Sequence, residues 1–485
     1  MIDIKSLVGG VSAIILSIGL ILALPMVVAL IYMEDDALLG FSIPMVIATF
    51  TGFIVHRKIG PLTKLTIAEA MVISSIGWLL AAAFSSIPYV TVLGMSPLDA
   101  YFEAFSSLTT TGMTVIPVLE GVPRSILFWR ALGEWIGGAG IILLTTLLLL
   151  SREGVIAWRL YVSEAREERL APTVRETIRN IWLIYVFYTV LCAIILMFVG
   201  LEPFDAMCHA LTCVSSGGFS TRTENIGAFN NTAVEIVLMI FMILAATRFS
   251  LHHRLFAGDV KGFVRDIEFR TFMLIIMISS LVISLDLASR LSLNLYETFR
   301  VGFFHGISIC TTTGFTIKDL SSFHYPPLSK AIFLMLMIIG GCLNSTAGGI
   351  KVWRLVILLK VARHEVESLL LPPEALRRLR FNGRILEDSE VVRIASFFFM
   401  YIFFALTATI VMMLFEGDFL ECLSGVFSAM ATVGPFFASP LTLSPASKII
   451  LIISMWVGRL ELIPVFLLFT PKLWRGRRKV ISGCS

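Results

Sequence analysis

The chain has 485 residues, of which 57% are hydrophobic and only 15% charged, with a formal net charge of +4 and a mean hydropathy of +0.89. That is too little charge to cover the surface of a water-soluble protein of this size, and apolar runs of about 20 residues, the length that crosses a bilayer, recur from end to end. The small net charge gives no reason to invoke nucleic acid, whereas contact with membrane lipid follows from the composition.

The first apolar run, Leu7 to Tyr32, is too long for the apolar region of a signal peptide and lacks a small-residue cleavage site, so a retained helix is expected. A second helix is expected near 40–56. From about Leu65 onward one unit recurs four times: a spanning helix, a short semi-apolar segment, a glycine-containing loop and a second spanning helix. The predicted pairs of spans are 65–93 with 126–150, 178–200 with 232–256, 270–290 with 330–360, and 390–415 with 446–470. With the two N-terminal helices this makes ten spans.

The short segments end in Leu108-Thr-Thr-Thr-Gly-Met113, Val214-Ser-Ser-Gly-Gly-Phe219, Cys310-Thr-Thr-Thr-Gly-Phe315 and Met430-Ala-Thr-Val-Gly-Pro435. Asp99, Asp205 and Glu421 each stand 13 residues before their loop glycine, where an acid favours the positive end of a short helix. The third unit departs, with Val301 at that place and Glu297 the nearest acid. Segments this short cannot span, so they are expected to be re-entrant, and irregular backbone at membrane depth survives only inside protein or against a water-filled cavity. The expected fold is an all-α polytopic membrane protein with four pseudo-symmetric helix–pore-loop–helix repeats around one central pore. Its divisions are 1–60 for the extra helices, then 61–160, 161–260, 261–375 and 376–485 for the repeats.

Basic residues fall on one side of this arrangement: Arg57 and Lys58, the stretch Arg152 to Arg179, Arg254 to Arg270, Lys351 to Arg393 with Arg377, Arg378, Arg380 and Arg384, and the tail from Lys472 to Lys479. The other side carries Glu34, Asp35 and Asp36. The positive-inside rule then puts both termini in the cytoplasm and the four glycine loops outside a cytoplasmic, inner membrane.

A cation leaving water needs oxygen ligands, and a ring of backbone carbonyls supplies them to K⁺. Glycine allows the positive φ that turns a carbonyl toward a pore. The candidate ion-binding residues are therefore Thr110, Thr111 and Gly112; Ser216, Gly217 and Gly218; Thr312, Thr313 and Gly314; and Thr432, Val433 and Gly434. No loop glycine is flanked by a carboxylate, which argues against a divalent-cation filter. The second span of the third unit is broken by the run 340–349, whose Gly340, Gly341, Asn344, Ser345, Thr346, Gly348 and Gly349 are read as a movable gate under the loops. Arg459, an intramembrane charge, is read as facing the permeation path, with Glu461 or Glu134 as competing buried partners. Arg248 is expected to snorkel to the inner surface, His209 and His305 to be satisfied packing residues, and the seven cysteines to be small buried side chains. There are no clustered catalytic residues and no nucleotide-binding motif, so neither an enzyme nor an organic cofactor is expected.

These motifs, together with Gly348-Gly349-Ile350-Lys351, Gly458-Arg459-Leu460-Glu461, Thr470-Pro471 and Trp474-Arg475, resemble the Trk/Ktr/HKT superfamily of potassium transporters, most closely its TrkH/TrkG branch, over nearly the whole chain. The resemblance implies uptake of K⁺ through a gated, channel-like filter and a homodimer with one pore per subunit. It also implies a cytoplasmic nucleotide-binding regulatory subunit similar to TrkA. An ion-coupled K⁺ symporter, with Glu134 as the coupling carboxylate, is the alternative.

Overall fold

The computed structural model describes residues 3–60, 65–140, 174–291, 294–370, 380–381 and 384–474. Two N-terminal spans come first. The helices α1 (Ile4–Ile21) and α2 (Ala23–Ile31) form one apolar crossing with a break at Leu22, and α3 (Asp35–Ile59) returns, with Asp35 and Asp36 at its start and Arg57 and Lys58 in its last turn.

The first unit is α4 (Ile67–Leu93), the short helix α5 (Pro97–Leu108) and α6 (Arg124–Ala139). A capping box between Thr66 and Glu69 starts α4. The second unit is α7 (Val174–Phe198), α8 (Pro203–Val214), α9 (Thr232–Ala245) and α10 (Phe249–Phe256), followed by the connector α11 (Val260–Arg265). The third is α12 (Ile267–Arg290), α13 (Leu295–Cys310), α14 (Pro327–Ile339) and α15 (Val352–Ser368). The fourth is α16 (Asp388–Met412), α17 (Phe419–Ala431), α18 (Pro445–Arg459), α19 (Ile463–Leu468) and α20 (Pro471–Trp474). Apart from the two-residue pairing of Arg380–Phe381 with Arg384–Ile385, the described residues are helical or irregular.

Every first span is a single helix, but the second spans of the second, third and fourth units are not continuous. Six described helices are long and apolar enough to cross a membrane alone, and α9 with α10, bent by 103° between them, has the length and composition of a broken span or a re-entrant loop. The expected spans 330–360 and 446–470 are each two helices around a break, at Gly340–Lys351 and at Leu460–Leu462. The expected span 126–150 is helical only as far as Ala139, and its remainder lies outside the described residues. So do 152–173 of the basic stretch, Arg377, Arg378, everything after Trp474, and Cys484. The other six cysteines are buried thiols.

The four short helices pack inside the ring of spans at close range. Gly137 of α6 lies against the Leu108 carbonyl that ends α5, and Gly302 and Gly306 of α13 lie against Ser284 and Ser280 of α12; a Cβ at any of these places would collide with them. Such small residues are how membrane helices approach without a hydrophobic driving force.

Candidate functional site

Each short helix is aimed by its N-terminus. Ser96, Asn294 and Asp418 cap α5, α13 and α17 by accepting from the backbone N–H groups of Asp99, Glu297 and Glu421. α5 and α8 have proline in their first turn. The displaced acid of the third unit is explained by length. α13 has 16 residues against 12 in α5 and α8, so it begins one turn further from its glycine, and Glu297 holds the same third position in its helix as Asp99, Asp205 and Glu421.

Each helix ends in the same way. Thr110, Ser216, Thr312 and Thr432 have φ of 58°, 56°, 53° and 53°, and the glycines two residues on, Gly112, Gly218, Gly314 and Gly434, have φ of 78°, 84°, 80° and 102°. The hydroxyl residue is the left-handed C′ residue of a Schellman closure. The N–H groups of Thr110, Ser216, Thr312 and Thr432 donate to Ser107, Cys213, Ile309 and Ala429, and those of Thr111, Gly217, Thr313 and Val433 donate to Ser106, Thr212, Ser308 and Ser428, over 2.8–3.2 Å. Those N–H groups are turned back into the helix. In extended chain successive carbonyls point to opposite sides, and reversing φ at alternate residues brings them to the same side. A non-glycine residue held left-handed costs about 1–2 kcal/mol, so four of them in equivalent places mark a demanded geometry.

The loops close on one another. A Cβ placed on Gly112 would strike the carbonyl oxygen of Gly217; on Gly218, that of Thr313; on Gly314, that of Val433; and on Gly434, that of Thr111. Each glycine thus abuts the next loop in chain order and the fourth abuts the first, a closed ring of four backbone oxygens.

A buried residue nine positions before each glycine braces the ring, a role not read from the sequence. Glu103 accepts from Thr114 Oγ1 at 3.0 Å and from the Val115 N–H at 2.9 Å, and pairs with Arg130 at 2.8 Å. His209 donates from Nδ1 to the Asp205 carbonyl at 2.7 Å and accepts at Nε2 from Ser220 at 2.9 Å. His305 Nε2 lies 2.9 Å from the Lys318 carbonyl oxygen. The fourth unit has Gly425 at this place, where a Cβ would press on the ring of Phe436. The common spacing was visible in the sequence; the residue types differ too much to announce it.

On one side of the ring lies a vestibule of about 520 Å³, lined by Gly112, Gly314 and Gly434 and the segments that follow them. At a neighbouring pocket the hydroxyl and N–H of Thr223 hold the Glu120 carboxyl below its usual range. On the other side lies a cavity of about 60 Å³, lined by Asn344, Ser345, Gly348, Gly349, Thr432 and Arg459 among others, room for only a few waters. The 340–351 segment closes it from below and is docked on the ring itself. Thr346 Oγ1 is 2.6 Å from Ser216 Oγ, the Gly348 N–H donates to Thr312 Oγ1 at 2.7 Å, and a Cβ on Gly348 would meet Ala431 and Thr432. Both ends of the segment are held by one carboxylate. Glu268 Oε1 accepts from the N–H groups of Leu343 at 2.7 Å and Trp353 at 3.2 Å.

Arg459 lies in the same cavity. Its guanidinium donates to the carbonyls of Gly137 and Gly138, which end α6, and to Thr110 Oγ1 at 3.3 Å. Glu461, the competing partner, pairs instead with Arg354. The expectation for Arg248 is corrected: it is half-buried at the α9–α10 elbow, paired with Asp266 at 2.6 Å and Glu268 at 3.2 Å, because the bend turns it toward the start of α12. Glu134 stands behind the first two loops, accepting from the Phe219 N–H at 3.2 Å. Among the described residues no group of three metal-ligating side chains occurs.

Comparison with known proteins agrees with this architecture. Residues 50–476 match the TrkH family, described as cation transport protein. The chain is 34% identical over 466 residues to the Trk system potassium uptake protein TrkG of Escherichia coli, covering 93% of this chain and 94% of that one. It is 33% identical over 477 residues to an uncharacterized cation transporter of Methanocaldococcus jannaschii, covering 96% and 95%. The crystal structure of the potassium transporter TrkH from Vibrio parahaemolyticus superposes with a TM-score of 0.88 at 29% identity, covering 98% of this chain and all of that one. This chain belongs to the TrkH family of cation transport proteins.

Proposed function

We propose that the protein takes up potassium through the ring of four loops, with Thr110 to Gly112, Ser216 to Gly218, Thr312 to Gly314 and Thr432 to Gly434 as the ion-binding residues. The observation that carries this reading is the closed ring: uncharged backbone oxygens, N–H groups turned away, and no carboxylate within the loops. Such a ring replaces the hydration shell of a large, weakly hydrated monovalent cation better than that of Na⁺ or Mg²⁺. The 340–351 segment and Arg459 form the gate: both line the small cavity beside the ring, and both hydrogen-bond to the hydroxyl residues of the loops. The loops face outward and both termini inward. The functional unit is a homodimer, regulated by a cytoplasmic nucleotide-binding subunit similar to TrkA that meets the basic loops. Two relatives named as Trk system potassium uptake proteins, TrkG and TrkH of Escherichia coli, support K⁺ as cargo and a multi-component system.

Reversal potentials of the purified protein in liposomes, with K⁺ and Na⁺ gradients set independently, test this. A potential that follows the K⁺ gradient alone is expected. A potential set by a fixed ratio of K⁺ to Na⁺ or H⁺ would establish coupled transport instead.

A further inference from the structure

The four loops are not equivalent at the residue before the glycine. Thr111, Thr313 and Val433 have side chains there, whereas the second loop has Gly217. The reason lies on another helix. A Cβ built on Gly217 would fall on the carboxylate of Glu134, and one on Gly112 would lie 3.5 Å from Glu134 Oε1. Glu134 therefore stands where the second loop's own side chain would be, wedged between loops one and two. It is fully buried, and among the described residues its only hydrogen-bond donor is the Phe219 N–H.

Its charged surroundings do not balance. Arg130 gives Glu134 no hydrogen bond: its Nε pairs with Glu103 at 2.8 Å, its Nη1 donates to the Ser220 carbonyl at 3.1 Å, its guanidinium lies 4.0 Å from the centre of the Phe219 ring, and its Nη2 is buried without a partner among the described residues. Glu103, Arg130 and Glu134 together are two acids and one base, all buried. A buried carboxylate without a compensating positive charge is strongly disfavoured. Such a group either takes up a proton or draws in a positive charge, and a permeant cation in the adjacent ring would supply that charge.

We propose that Glu134 is a specificity-determining positioning residue. Its carboxylate raises cation occupancy on the side of the ring formed by loops one and two, and its acceptance from Phe219 fixes the Gly218–Phe219 peptide. This rests on the four-loop reading of the site. It makes the ring electrostatically asymmetric although its backbone is four-fold.

Glu134→Gln keeps an oxygen acceptor for Phe219 and nearly the same volume but removes the charge. The apparent KM for K⁺ in liposome flux should rise about tenfold, equivalent to about 1.4 kcal/mol, with the maximal rate changed far less. The K⁺ concentration that protects the solubilised protein against thermal unfolding should rise in parallel. Glu134→Asp, which keeps the charge, should stay closer to wild type in both. Unchanged KM and unchanged K⁺ protection in a folded Glu134→Gln protein would overturn the proposal. So would a Gln variant that does not fold beside an Asp variant with wild-type KM, since that assigns a structural role. Gly218→Ser in the same assay separates the two levels: if its K⁺/Na⁺ ratio is unaltered, the four-loop reading itself fails.

Discussion

The hydroxyl residues at Thr110, Ser216, Thr312 and Thr432 combine two demands in one position. Their left-handed backbone closes the short helix, and three of their hydroxyls also hold neighbouring groups: Thr110 meets Arg459, Ser216 meets Thr346, and Thr312 accepts from the Gly348 N–H. The glycines have a stricter requirement, since a side chain would be both strained and driven into a neighbouring carbonyl. Gly112→Ser, Gly218→Ser, Gly314→Ser and Gly434→Ser should each lower K⁺ flux and shift the K⁺/Na⁺ permeability ratio toward Na⁺ by about tenfold, since strain of about 1–2 kcal/mol is of the size of a tenfold preference. Gly417 is the matched control, because a Cβ there meets nothing within 4 Å; equal ratios for Gly417→Ser and the loop variants would count against the ring. For Arg459→Ala the expectation is greater conduction. A positive charge about 4–8 Å from a cation at an effective dielectric near 20 costs roughly 2–4 kcal/mol. Flux measured beside thermal stability decides: a loss of stability with no gain in flux would mean that Arg459 serves only to cap α6.

The breaks in the second spans show how far element-level reasoning reaches. The run 340–349 was legible as a break because four glycines and three polar residues cannot make a lipid-facing helix. The elbow between α9 and α10 was not legible, since Ala246-Thr247-Arg248 contains neither glycine nor proline. It bends because the gate segment takes its carbonyls: the Cys342 N–H donates to Ala246 at 2.9 Å and Thr346 Oγ1 to Ala245 at 3.1 Å. The elbow and the 340–351 segment are thus joined by hydrogen bonds, and Arg248 ties the elbow to Asp266 and Glu268 at the start of α12. Deleting Leu343 to Ala347 should raise resting flux in correctly inserted protein. Thr346→Ala removes a contact of about 1 kcal/mol and should raise the open fraction about fivefold, read as unstimulated K⁺ leak. Flux that falls in the deletion would show that the segment supports the ring rather than blocking it.

At the scale of the whole molecule, the vestibule, ring and small cavity lie in series, and the cavity is closed by parts of the third and fourth units that meet only in the folded chain. The connectors α10 and α11 and the start of α12 lead directly to the elbow and to Glu268. If regulation is external, a soluble nucleotide-binding subunit should co-purify from native membranes and change flux when nucleotide is added; flux indifferent to added cytosol and nucleotide would exclude it. The sequence by itself determined the membrane class, the number and order of the units and the identity of the loops, because hydrophobic length, glycine and helix-start acids are local signals with local causes. Tertiary structure alone decided which residues serve the ring from behind. Glu103, His209 and His305 as braces, Glu134 in the place of a missing side chain, and Glu268 as the acceptor for both Leu343 and Trp353 are buried polar groups, and such groups take their meaning from partners 11 to 85 residues away that burial obliges them to find.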